Sequence, residues 1–142
     1  MRKLLIAVIL AVTVVALAHD KPQETLDQLQ ARAAAADKKK QVDLYADLAQ
    51  RQLEAADATY NTSVEQAKTL FKDSAKSAVM AAQAALDANH KLKKTEIRLR
   101  ELSLHMSNIR ETWAFEDRAA LAPAIQSVEA SRTKLLDRMF QK

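Results

Sequence analysis

From residue 23 onward the apolar positions recur every three or four residues, with charged or amide side chains between them. That period puts the apolar positions on one face of a helix. Leu26, Leu29, Ala33 and Ala36 predict a first helix over about 23–36, with Pro22 in its first turn. The polar run "DKKKQ" at 37–41 reads as a junction, and Asp37 suits the cap of the next helix. Val42, Tyr45, Leu48, Ala49, Ala56 and Tyr60 share one side of a second helix over about 38–60. "YNTS" at 60–63 follows as a turn, since Asn61 tolerates a left-handed backbone and Thr62 or Ser63 can cap what comes next. Thr62 and Glu65 also have the spacing of a capping box.

Beyond the turn, one heptad register runs unbroken from Val64 through Phe71, Ala78, Ala85, Leu92, Leu99 and Met106 to Trp113. Two readings compete. A single helix over 63–113 would be about 76 Å long at 1.5 Å per residue, a coiled-coil length. A break near "DANHK", 87–91, gives two ordinary helices instead. Asp87, Asn89 and His90 are weaker helix formers than their neighbours, and Asn89 is the best candidate for a left-handed cap. Helices longer than about 25 residues are unusual in compact domains, so the break is preferred.

The last element follows "FEDR" at 115–118, with Asp117 expected as its cap and Pro123 in its first turn. Leu121, Ile125, Val128, Leu135 and Met139 form its apolar stripe. The expected fold is all-α: an antiparallel bundle of a short leading helix plus two helical hairpins, about 38–88 and 91–141. This layout loosely resembles tetratricopeptide-like proteins, but the hairpins start about fifty residues apart rather than thirty-four. "KLKKTEIRLREL", "IRETWAFEDR" and "LLDRMF" resemble segments of an uncharacterised family of small exported all-helical bacterial proteins, over about residues 90–140. That resemblance implies export and helicity and brings no functional residues with it.

Composition sharpens the helical reading. The chain has no Gly, only two Pro, and no Cys. Left-handed turns and β-hairpins lean heavily on Gly, so its absence argues against a β fold. The N-terminus changes the picture further. Arg2 and Lys3 precede an apolar run from Leu4 to Val15, and Ala16-Leu17-Ala18 is a small-x-small site. This is the pattern of a secretory signal peptide over 1–18, cleaved after Ala18. The uncharged stretch is shorter than the ~20 residues of a membrane span. One helical domain over 19–142 is then expected in the periplasm or outside the cell, with no membrane span after cleavage. Losing Arg2 and Lys3 removes two charges from the formal +4, which leaves little general attraction for nucleic acid.

Several chemistries lack their residues. Nucleophile elbows and phosphate loops need Gly, and thiolate sites need Cys. The three His, at 19, 90 and 105, form neither H-E-x-x-H nor an i, i+4 pair. A processed His19 would offer an amine and an imidazole to copper, but a second His must come close. No catalytic residue, metal ligand or cofactor site is nominated. Met106 and Trp113 belong to the core by register, and the acid pair Glu116–Asp117 reads as a helix cap. What remains is "ANHKLKKTEIRLR", 88–100, where Lys91, Lys93, Lys94, Arg98 and Arg100 form a candidate binding surface. Its bland reading is a solvated helix face; it lacks the aromatic residues that stack nucleic-acid bases. The expected function is a non-enzymatic exported binding or scaffolding protein. Its partner would be another envelope protein or an acidic surface, met through a groove between hairpins. The rival is an oligomeric coiled-coil structural or chaperone-like envelope protein, with the chain as its own partner.

Overall fold

The structure, a computed structural model, describes residues 23–141. The expected signal peptide, His19 and Pro22 lie outside the described residues. The elements are α1 (Leu26–Ala35), α2 (Lys38–Thr59), α3 (Val64–Ala88), α4 (Leu92–Thr112), the short α5 (Phe115–Arg118), a 3-10 turn (Ala119–Leu121) and α6 (Ala122–Phe140). No strand occurs among the described residues. The fold is the expected all-α bundle, a short leading helix followed by two hairpins.

The helix starts follow local hydrogen-bond chemistry. Thr25 caps α1 in a reciprocal box: its hydroxyl accepts from the Gln28 N–H at 3.1 Å, and its own N–H donates to Gln28 Oε1 at 3.0 Å. Asp37 caps α2 as expected, accepting from the Lys40 N–H at 3.0 Å. The expected Thr62–Glu65 box does not form. Ser63 takes the cap of α3 instead, accepting from the Gln66 N–H at 3.3 Å. Its backbone is the extended one at that junction, with φ −150°. Pro123 does sit in the first turn of α6.

The long helix over 63–113 is not formed. Asn89 adopts φ 47°, ψ 51°, and Lys91 φ 53°, ψ 36°. Two left-handed residues within three positions reverse the chain. The N–H groups of Asn89 and His90 return to the carbonyls of Leu86 and Ala85, closing the end of α3. Asn is the non-Gly residue best suited to this conformation. Lys91 is not; its position there costs on the order of 1–2 kcal/mol. Thr95 helps to restart the chain, its N–H and hydroxyl both donating to the Lys91 carbonyl at 2.9 and 2.7 Å.

The two hairpins stack in the same sense. Their turns, at 60–63 and 113–121, lie at one end of the molecule, where Tyr60 stacks on Trp113 with ring centroids 4.3 Å apart. The connection through Asn89 lies at the other end, where Lys38 pairs with Asp87 at 3.4 Å. Consequently α2 runs parallel to α4, and α3 parallel to α6. Within the first hairpin, α2 and α3 make the most extensive contact of the fold. Their shared seam uses small residues: Ala49 and Ala56 face Ala67, Ser74 and Ala78, all at most 1% exposed. The Ser74 hydroxyl donates to the Ala49 carbonyl at 2.6 Å, and Ser77 donates to Gln52 Oε1 at 2.6 Å. Both buried hydroxyls are thereby satisfied.

α6 packs on both α3 and α4, and Phe71, Leu99, Met106, Trp113, Leu121, Val128 and Leu135 fill one continuous core. Met106 and Trp113 are core, as the register implied. α1 is held separately: Leu29 and Ala33 join Tyr45 and Leu48 in a second, smaller cluster. Burying a Leu fully is worth about 1.5–3 kcal/mol, so Leu29 is the main anchor of the leading helix. A polar tie joins α4 to α6: the buried Glu96 accepts from Arg132 Nη2 at 2.9 Å and Nε at 3.3 Å. This carboxylate holds the Arg132 guanidinium firmly charged, with Glu129 adding to it.

Candidate functional site

The basic stretch and the groove between hairpins turn out to be two halves of one helix pair. α2 and α4 run side by side with a constant offset of 51 positions, shown by the pairs Asp43–Lys94 and Asp47–Arg98. On α2 the facing stripe reads Asp43, Asp47, Gln50, Glu54, Asp57; on α4 it reads Lys94, Arg98, Glu101, His105, Asn108. Both follow the same 4-3-4-3 spacing, which keeps a stripe on one helix face.

The first two rungs are complementary, and they close. Asp43 receives Lys94 at 3.3 Å, Arg98 at 3.8 Å and Lys91 from the turn. Arg98 reaches Asp47 at 2.6 Å. Lys91, through its hydrogen bond and charge, and then Lys94 hold the Asp43 carboxyl below its ordinary value; partial burial opposes them. These pairs are partly exposed, so each contributes only about 0.2–1 kcal/mol. Their main effect is to fix the register of one hairpin against the other.

The third and fourth rungs do not close. Gln50 and Glu54 stand opposite Glu101 and His105, and no ion pair involves Glu54 or Glu101 among the described residues. Here the helices leave a cleft of about 160 Å³. Ala46, Ala49, Leu99 and Leu102 form its floor, and Gln50, Glu54, Arg98, Glu101 and His105 its walls. The Gln50 amide donates to Glu54 Oε1 at 3.2 Å, which orients that carboxylate along α2.

The five sequence-nominated cations therefore separate. Lys91, Lys94 and Arg98 are committed to α2 carboxylates. Arg100 lies 3.9 Å from the far oxygen of Glu96 and keeps a half-exposed side chain. Lys93 is exposed and makes no ion pair among the described residues. The helical spacing turns Lys93, Lys94 and Arg100 outward and sets Lys91 and Arg98 beside the apolar seam, but it does not show their partners. The missing signal was the 51-residue offset, readable once the hairpins are known to lie in parallel.

A second polar constellation sits at the turn end. The Tyr60 hydroxyl donates to Asp117 Oδ2 at 2.8 Å and accepts from the Ala114 N–H at 2.8 Å. Lys68 reaches Asp117 Oδ1 at 3.2 Å. Asp117 was expected to cap a helix. It lies within α5 instead and ties that turn to α2 and α3, because the Tyr60 and Lys68 donors offer it stronger partners than a free helix end. Trp113 closes the core beneath, 1% exposed, its ring tilted against Phe71 at 5.7 Å. Its Nε1 is the buried side-chain nitrogen without a hydrogen-bond partner among the described residues. Phe115, beside it, is 83% exposed.

This corner makes stability pH-dependent with a definite sign. The Tyr60 hydroxyl first, and Lys68 second, hold the Asp117 carboxyl below its ordinary value. The contribution is complete above the ordinary Asp value of about 4 and is lost as pH falls through the lowered folded value. Lys68 is raised by Asp117. Tyr60 is raised too: the Ala114 N–H favours its phenolate, but burial and the Asp117 charge together outweigh that. Alkaline losses therefore begin only near pH 10. Stability measured in urea between pH 3 and pH 7 should fall less steeply below pH 4 in Asp117→Asn than in the unchanged protein. Parallel curves would show that Asp117 is not coupled to this corner.

Among the described residues, no group of three or more His, Asp or Glu side chains is arranged to hold a metal, and no helix is long and apolar enough to cross a membrane. No protein-family model matches the chain, and no match is found among curated proteins or solved structures.

Proposed function

We propose that this chain is an exported, non-enzymatic helical protein that binds or scaffolds another envelope protein through the α2–α4 cleft. The observation that carries the reading is the change of rung chemistry along that helix pair. The two hairpins are locked together by Asp43 and Asp47 and then left open over an apolar floor. A concave site with an apolar base and few convergent polar groups is the usual form of a binding site. The N-terminal signal pattern supports export. Of the basic stretch, Lys91, Lys94 and Arg98 serve the lock, Arg100 lies against Glu96, and Lys93 is outside the cleft lining.

The test uses a variant that fills the cleft without touching the core. Gln50 is exposed and lines one wall, so Gln50→Trp should leave helicity and melting unchanged. Cross-linking in envelope extracts should give a specific adduct with the unchanged protein and a much weaker one with Gln50→Trp. The recovered protein should begin at His19 by intact mass. An adduct that survives Gln50→Trp would move the site elsewhere, and a mature protein that retains residues 1–18 would remove the export reading.

A further inference from the structure

Resting on that reading, we infer that the occupant of the α2–α4 cleft is a lysine side chain presented by a partner polypeptide. Charge, shape and size lead to the same class. The lock end of the helix pair carries three cations, Lys91, Lys94 and Arg98, against two carboxylates, Asp43 and Asp47, so it stays net positive; Arg98 reaches Asp47 at 2.6 Å and lies 3.8 Å from Asp43. The open end has two carboxylates, Glu54 on α2 and Glu101 on α4, and neither has an ion-pair partner among the described residues. Asp57 stands one turn beyond Glu54 on the same stripe. On the α1 side Arg32 pairs with the Glu24 carboxylate, while Arg51 donates to the Glu24 carbonyl, keeps its charge and lies outside the cleft lining. Among the residues that line the cleft, the unpaired charge is therefore negative.

The floor is aliphatic. Leu99 and Leu102 with two alanines suit a hydrocarbon stem, not a second charge. A volume of about 160 Å³ holds one long side chain; at about 30 Å³ per molecule it equals some five waters. An ammonium fits the walls better than a guanidinium. Its three donors can be shared between carboxylates on opposite walls and the His105 imidazole, whereas a guanidinium prefers one carboxylate gripped in a planar fork. Arg98 at the closed end repels a second positive group. The cleft thus favours a single cation on an aliphatic stem over a linear polyamine. The stem lies along the floor, the ammonium sits between Glu54 and Glu101, and the partner's backbone stays outside.

Amide chemical-shift titration of the purified protein tests this with four probes. They are a blocked pentapeptide Ala-Leu-Lys-Leu-Ala, the same peptide with norleucine or Glu in place of Lys, and free putrescine. The lysine peptide should shift the amides of Gln50, Glu54, Glu101, Leu102 and His105 in a saturable way. The double variant Glu54→Gln/Glu101→Gln should weaken this about threefold to tenfold, the scale of two partly exposed ion pairs. Lys93→Gln, outside the cleft, should not weaken it. Both Glu side chains are exposed, so the double variant should keep its fold, checked by its spectrum. Equal binding of the norleucine peptide, or tighter binding of the Glu peptide, would overturn the lysine assignment and leave the cleft as the binding site. Putrescine binding as well as the lysine peptide would overturn the polypeptide source. Absence of any shift in the cleft would overturn the inference, while the Gln50→Trp cross-linking result would still judge the cleft independently.

Discussion

Replacing Trp113 by Ala should destabilise the protein by about 3–5 kcal/mol, the usual cost of deleting a large buried aromatic. The side chain is 1% exposed and joins three parts of the fold: the Tyr60 ring, the Phe71 ring and the 3-10 turn carrying Leu121. Its removal opens a cavity and strips one face from Tyr60, whose hydroxyl orders Asp117 and Ala114. For a domain of this size the melting temperature should fall on the order of 10–20 °C. Circular dichroism is the proper readout, because Trp113 is the chain's single tryptophan. Trp113→Phe should cost markedly less: it keeps a stacking ring and removes the buried Nε1 that lacks a partner. A loss below about 1 kcal/mol in the Ala variant would mean the turn end is not packed as described.

The other large effect concerns a side chain that is almost absent. Ala78→Leu should destabilise by about 1–3 kcal/mol or more, through overpacking and not through any lost contact. Ala78 is fully buried in the α2–α3 seam, among Ser74, Ala81, Ala82 and Ala85. Small residues let helix axes approach toward the lower end of the 8–10 Å range. A Leu there must push the helices apart and lengthen the 2.6 Å bond from Ser74 to the Ala49 carbonyl. The control is Ala58→Leu, on the exposed side of α2, which should change stability by less than about 0.5 kcal/mol. Equal behaviour of the two variants in urea unfolding would show that the seam is loose.

Much of this architecture was legible because helices write their faces into sequence spacing. Leu29, Tyr45, Phe71, Met106 and Leu135 were all placed on buried faces by period alone. The break at Asn89 was legible too, since Asn is the natural left-handed residue in a chain without Gly. The register through residues 64–113 was correct for burial on both sides of the break, yet it gave no sign of continuity either way. A heptad pattern reports which face is apolar, not what covers it. In α3 the cover is α2 and α6; in α4 it is chiefly α6.

Local capping was legible only to the precision of neighbouring hydroxyls. Thr62 and Ser63 compete for the same helix end, and the extended backbone at Ser63 decides between them. Asp117 misled for a related reason. A carboxylate ahead of a helix resembles a cap, but a phenol fifty-seven positions earlier in the chain and the Lys68 ammonium claimed it.

The sequence by itself determined the all-α class and the apolar face of each main helix, and favoured the position of the chain reversal, since all three rest on interactions within a few residues. Tertiary structure alone decided that the hairpins stack in parallel with a 51-residue offset. It thereby decided that Lys91, Lys94 and Arg98 lock the molecule and that Glu54 and Glu101 line an open cleft. Charge carries no direction along a sequence; a cation becomes a lock or a binding surface only when folding brings its neighbour within about 4 Å.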